Sequence, residues 1–148
     1  MALLKGIDPI LNADVLHALA SMGHGDALVI CDANFPAASV ASQTVLGTHI
    51  ELGVDGLTAL NAVLTVFPID TYDLEIPPVQ GMQIVGAPDE LPDIIKDATP
   101  MIEGLGASIA LVERHSFYET ASKAFVIFRT LETRFYGNFI LRKGVVNR

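Results

Sequence analysis

The sequence predicts an α/β fold in a single domain, and three observations carry that prediction. Short apolar runs of strand length, such as Ala27-Leu28-Val29-Ile30-Cys31-Asp32 and Ile109-Ala110-Leu111-Val112, recur along the chain. Between them lie segments whose apolar residues repeat at helical spacing, and this alternation packs as helices and sheet in two or three layers. The 148 residues make one compact domain, 1–148, with no room for a cofactor domain beside a substrate domain.

Taken in order, the first element is a helix over about Asn12 to Met22. Asn12 is a fitting N-cap, and Val15, Leu16, Leu19 and Met22 share one stripe. Gly23 stands where a left-handed C-cap would end it. Ala27 to Asp32 then reads as a buried strand, broken by Asn34-Phe35-Pro36. A polar stretch follows, and Thr48 to Leu52 is a candidate strand. Asp55-Gly56 opens a second helix with Leu57, Leu60, Leu64 and Phe67 on its apolar face and Pro68 as its stop.

Ile76-Pro77-Pro78 is a breaker, and Met82 to Val85 is a candidate strand. Leu91 to Gly104 is helical in pattern, with Pro100 expected to bend or divide it. Ile109 to Val112 is a strand. Ser116 and Glu119 form a capping-box signature for a short helix ending near Lys123. Ala124 to Phe128 and Phe139 to Arg142 read as strands joined around Tyr136-Gly137-Asn138, a hairpin turn when taken alone.

Composition narrows the function. The chain is 51% hydrophobic and 18% charged, with 17 acidic against 9 basic residues and a net charge of -8. Such an acidic chain is expected to bind neither nucleic acid nor anionic membrane. Every apolar run is interrupted before the ~18 residues of a membrane span, and the N-terminus has no continuous apolar core of a secretory signal. One cysteine, Cys31, allows no internal disulfide, and a cytoplasmic location is expected. A mean hydropathy of +0.45 in so short a chain points to a homo-oligomer that covers apolar surface.

The chemistry-bearing residues fall in three groups. Glycines flank His24 in Gly23-His24-Gly25-Asp26, leaving the imidazole unshielded past a helix C-terminus, whose dipole favours the protonated ring. The same four residues also read as an ordinary cap and turn, or, with Asp32, as a three-ligand metal set lacking a second histidine. Asp32 ends the first buried strand, where α/β sheets place site residues. Arg114 stands at another strand end, in Glu113-Arg114-His115-Ser116-Phe117-Tyr118-Glu119. With Tyr136 and Asn138 it completes a set of carboxylate, guanidinium, hydroxyl and amide beside aromatic faces, the mixture a neutral sugar requires when its hydroxyls leave water. His17 and His49 each read as a partly buried or surface residue, His115 as a helix-entry residue that could also belong to a site, and Cys31 as packing.

At these residues the chain resembles the L-fucose mutarotase and D-ribose pyranase family. Leu4-Lys5-Gly6-Ile7, Met22-Gly23-His24-Gly25-Asp26, Asp32-Ala33-Asn34-Phe35-Pro36, Phe67-Pro68-Ile69-Asp70-Thr71-Tyr72, Arg114 with Phe117-Tyr118-Glu119, and Tyr136-Gly137-Asn138 with Ile140-Leu141-Arg142-Lys143-Gly144-Val145 occur in the family's order. Arginine at position 114 resembles the fucose branch, where the ribose branch tends to have histidine. Cys31-Asp32 resembles the ribose branch, Leu52-Gly53-Val54 lacks an arginine the fucose branch often carries, and residues 72–105 match poorly.

The resemblance implies the layered fold of that family and a cytoplasmic mutarotase for a free monosaccharide, L-fucose or a related sugar. His24 becomes the general acid, and Asp32 a sugar ligand that also orients the histidine. Arg114, Tyr136 and Asn138 become further sugar ligands. No cofactor or metal is implied, and relatives form decamers or dimers. A D-ribose pyranase, a non-catalytic sugar-binding module for transport or sensing, and a metal-dependent hydrolase remain the alternatives.

Overall fold

The computed structural model describes residues 3–73 and 75–148. In chain order its elements are α1 (Ala13–Ser21), β1 (Ala27–Cys31), α2 (Ala37–Ala41), β2 (Ile50–Glu51), α3 (Gly56–Leu64), β3 (Val79–Met82), α4 (Asp93–Glu103), β4 (Ile109–Val112), α5 (Arg114–Ser122), β5 (Val126–Arg129) and β6 (Phe139–Arg142). The strands form one six-stranded sheet in the order β2-β5-β1-β6-β3-β4. β1 pairs parallel with β5, β2 with β5, and β3 with β4, whereas β6 runs antiparallel to both β1 and β3. Five strands therefore point one way and β6 points back between them.

Helices cover both faces, giving three layers. Leu28 and Ile30 of β1 pack with α1, α3 and α4, while Val29 and Cys31 pack on the opposite face with α2 and α5. The same alternation separates Val126 and Phe128 from Ile127 in β5. A strand sandwiched this way is apolar at every position, which is why these segments are unbroken apolar runs.

Local chemistry sets most boundaries. The Asn12 side chain accepts from the Val15 N–H and Asp55 from the Thr58 N–H, capping α1 and α3. Each such cap contributes about 1 kcal/mol. α4 runs through Pro100 as one helix, so the proline does not divide it. Pro100 and Lys96 are both exposed, so water can satisfy the Lys96 carbonyl that loses its helical donor.

Several expectations are corrected. α1 ends with Met22 in extended conformation, and the left-handed residue is Gly25 (φ 87°), not Gly23. α5 is capped by Glu113, whose carboxylate accepts from the His115 and Ser116 N–H groups, rather than by a box at Ser116. The candidate strand at Met82 to Val85 begins three residues earlier, at Val79 in β3, and α2 occupies part of the stretch read only as polar. Tyr136-Gly137-Asn138 is not the turn of a hairpin, because β5 and β6 do not pair. β1 lies between them. No described helix is long and apolar enough to cross a membrane.

Candidate active site

Because β6 alone is reversed, the C-terminal ends of β1, β3 and β4 meet its N-terminal end at one edge of the sheet. Asp32 follows β1, Met82 ends β3, Arg114 begins α5 just after β4, and Asn138 precedes β6. These residues line a cavity of about 380 Å3 together with Tyr136. That size is within the range of small-molecule sites. Strand ends in an α/β sheet suit this use, since they leave side chains and loop backbone free to face a ligand.

Asp32 is buried, and its carboxylate organises the rim. Oδ1 accepts from the Asn34 and Phe35 N–H groups at 3.0 and 2.8 Å, and Oδ2 accepts from Gly137 N–H at 3.1 Å. Burial pushes its carboxyl above the ordinary value, the three backbone donors pull the other way, and Glu132 adds to the rise. The Asp32 N–H donates to Asn138 Oδ1 at 2.9 Å, which leaves the Asn138 amide nitrogen as the end available for a ligand. The Tyr136 hydroxyl accepts from Val85 N–H at 3.1 Å and so keeps its own proton for donation. Tyr136 is also the one described non-glycine residue with positive φ, at 60°. Arg114 enters no ion pair among the described residues.

In the same cavity, Phe35, Met82 and Tyr118 supply apolar lining continuous with the core beneath α5. The Phe35 and Tyr118 rings lie 5.4 Å apart, and Phe35 meets Phe117 edge-on at 6.0 Å. Such faces can receive the C–H side of a sugar ring while hydroxyls turn to the donors and acceptors.

His24 is elsewhere. It precedes β1 and does not line this cavity. Asp32 follows the same strand, whose five residues separate the two by on the order of 15 Å. The carboxylate beside the histidine is Asp70: His24 Nε2 lies 3.3 Å from Asp70 Oδ2, and Arg142 Nε lies 3.5 Å from the same oxygen. The other oxygen accepts from Tyr72 N–H at 3.1 Å. Asp70 is 1% exposed and His24 half exposed. Burial opposes the charge on Asp70, but the Tyr72 N–H, His24 and Arg142 outweigh it and hold the carboxyl below its ordinary value. Asp32 therefore does not orient His24 within one chain, a correction forced by the strand between them.

The loop is built to present the imidazole. Asp26 Oδ2 accepts from Gly23 N–H at 2.8 Å, closing the turn, and Gly25 N–H donates to the Lys143 carbonyl at 2.8 Å. The Lys143 ammonium donates to the Leu19 and Met22 carbonyls at 2.8 and 2.6 Å, neutralising the C-terminal end of α1. Asp26 thus serves the turn, and His24, Asp26 and Asp32 do not gather as a ligand set. Among the described residues no group of three or more His, Cys, Asp or Glu is placed to hold a metal ion. His17 is exposed on α1, His49 pairs with Glu51 at 2.8 Å, and His115 is exposed in the first turn of α5. Cys31 is fully buried, and burial with Asp32 beside it pushes its thiol far up, out of reactive range.

The model of the RbsD / FucU transport protein family matches residues 5–146. The chain belongs to this family. A fucose mutarotase of Danio rerio is 40% identical over 156 residues, spanning 99% of this chain and 96% of the relative. The crystal structure of the fucose mutarotase in complex with L-fucose from Streptococcus pneumoniae is 38% identical and superposes with a TM-score of 0.84, covering 97% of this chain and 100% of the other. Bacillus subtilis RbsD complexed with D-ribose is 21% identical with a TM-score of 0.70, covering 98% and 100%, a likeness of fold alone. The family's layered mixed sheet is the architecture found here.

Sequence reasoning named the family segment containing Asp70 without giving that residue a role. A lone carboxylate after a helix carries no local sign that a strand will bring it to His24. Arg142 was likewise named only as part of a closing motif. The signal for both was their place in shared segments, not their chemistry.

Proposed function

We propose that this protein interconverts the anomers of a free monosaccharide, L-fucose or a close relative, by opening and reclosing the hemiacetal ring. The observation that carries this reading is the cavity at the strand ends, where a guanidinium, an amide, a phenol and a carboxylate share the lining with apolar side chains. The likeness to fucose mutarotases at about 40% identity over nearly the whole chain supports it. Arg114, Tyr136, Asn138 and Asp32 hold the sugar's hydroxyls, and Phe35, Met82 and Tyr118 receive its C–H face and any methyl group.

Mutarotation needs a proton delivered to the ring oxygen and one removed from the anomeric hydroxyl. It requires no redox change and no covalent intermediate. Histidine can give or take a proton near neutral pH, and such transfer is typically worth roughly 10²–10⁴-fold. His24 is our candidate for this step, with Asp70 fixing the orientation of its ring. Because His24 and the cavity occupy opposite ends of β1, a second copy of the chain supplies the histidine to each cavity. The oligomer is a closed homo-oligomer, a dimer or a decamer, whose partner needs are otherwise met by the sugar alone. We place this activity in the cytoplasm, in keeping with one unpaired, buried cysteine.

Saturation-transfer NMR tests the reading by measuring exchange between α and β anomers with catalytic protein present. L-Fucose exchange should accelerate, and D-ribose should respond less. A non-catalytic sugar-binding module would bind sugar and leave exchange at its spontaneous rate. Exhaustive chelation should leave the rate unchanged, and its loss on chelation would instead favour a metal-dependent enzyme.

A further inference from the structure

Glu132 is a buried carboxylate directly behind the cavity, and nothing in the proposed chemistry uses it. It is 4% exposed. A buried charge is costly unless partners satisfy it, so its partners show what it holds. Oε2 accepts from Arg134 N–H and Nε at 3.2 and 3.3 Å, and Oε1 accepts from Arg134 Nη2 at 3.2 Å. The guanidinium reaches onward, Nη1 donating to Asp97 Oδ2 on α4 at 2.7 Å. These contacts keep the Glu132 carboxyl below its ordinary value despite burial.

The backbone of Glu132 is tied to both sides of Asp32. Its carbonyl accepts from Ala33 N–H at 2.9 Å. Its N–H donates to Thr130 Oγ1 at 3.2 Å, and that hydroxyl donates to the Cys31 carbonyl at 2.8 Å. The chain then returns over the carboxylate. A Cβ on Gly137 would lie 2.9 Å from Glu132 Cγ, so only glycine lets the segment close this tightly, with Gly137 N–H reaching Asp32.

That return path includes Tyr136 at φ 60°. A non-glycine residue held there is strained and persists only where its surroundings over-determine it. Glu132, Arg134 and Asp97 do not line the cavity. Their effect must pass through the residues they hold in place.

We infer that Glu132 is a positioning residue for the ligand cavity: through Arg134 and Asp97 it clamps the segment carrying Tyr136 and Asn138 in its binding geometry. The consequence for sugar rests on the mutarotase reading above, whereas the clamp itself does not. Without the clamp the segment samples other conformations, and a ligand must select the competent fraction. If that fraction falls to about one fifth, apparent affinity falls about fivefold while the bound complex reacts as before.

The test uses the full-length protein with Arg134→Gln, Arg134→Lys and Asp97→Asn, alongside Glu132→Gln. The first three alter partly or largely exposed side chains, so they decide the matter even where Glu132→Gln fails to fold. Arg134→Gln should raise the KM for L-fucose roughly 3–10-fold with kcat within about twofold. Arg134→Lys should recover part of the loss, and Asp97→Asn should add little once Arg134 is already replaced. Native-state hydrogen exchange should quicken at the Val85 and Gly137 N–H groups, which bond to Tyr136 and Asp32, and stay unchanged at Val29 and Ile127 in the sheet. A folded Arg134→Gln protein with wild-type KM and wild-type exchange at Gly137 would overturn the inference, as would a fall in kcat at constant KM. If the wild type exchanges the anomers of no sugar, the mutarotase reading fails while hydrogen exchange still decides the clamp.

Discussion

His24 Nε2 lies 3.3 Å from Asp70 Oδ2, at the end of β1 opposite to Asp32. One chain therefore carries two separate polar constellations. The half-exposed histidine with its buried carboxylate is at one end of the central strand, and the cavity with Arg114, Tyr136 and Asn138 is at the other. β6 links them, with Asn138 before its first residue and Arg142 as its last.

The first prediction concerns His24 itself. His24→Gln should remove most anomer exchange, on the order of 10²-fold or more, while the fold and much of the sugar affinity remain. NMR exchange rates with isothermal titration on the same sample measure both. A wild-type rate in this variant would end the histidine mechanism.

Asp70 makes a prediction about pH. Its folded carboxyl is held below the ordinary value, so its contribution to stability is present above the unfolded pKa of about 4 and is lost as pH falls through the lower folded value. Asp70→Asn should weaken this dependence, giving a flatter loss of stability below about pH 4 in urea melts. It should also slow exchange at pH 7 by roughly tenfold if the carboxylate orients the imidazole. An unchanged rate would leave Asp70 with a structural role only.

The proposed sharing of a site between two copies of the chain predicts complementation. His24→Gln and Asn138→Ala proteins, each with low activity, should regain it when unfolded together and reassembled. About a quarter of the sites would then pair an intact histidine with an intact cavity in a randomly mixed symmetric oligomer. Light scattering should show a closed homo-oligomer at micromolar concentration, and dilution below its dissociation range should reduce the rate per chain. A stable monomer with undiminished exchange would refute the shared site.

Arg114 bears on the choice of sugar. A guanidinium is longer than an imidazole and always charged, so the two cannot serve the same hydroxyl in the same way. Arg114→His should weaken L-fucose exchange several-fold more than D-ribose exchange, read as a ratio of kcat/KM. An equal loss for both sugars would remove Arg114 from specificity.

Much of this molecule was determined by its sequence alone. Val29 and Ile30 read as residues of a buried strand because their apolar run is short and β-branched, and Asn12 and Asp55 marked helix starts through the short polar side chains that reach a backbone N–H. The membership of Asp32, Arg114, Tyr136 and Asn138 in one cavity was also legible, because three of them follow or precede strand ends and ordered segments of a family fold keep their places. Tertiary structure alone decided the rest. Whether Tyr136-Gly137-Asn138 turned a hairpin depended on which strand β6 chose, and that choice is made by packing over long loops rather than by local sequence. The insertion of β1 between β5 and β6 put Asn138 beside Asp32, and the bridge between Ile69 and Lys143 put Asp70 beside His24. Neither pairing leaves a local trace, since contacts made 46 or 106 residues apart are set by the order of strands in the sheet.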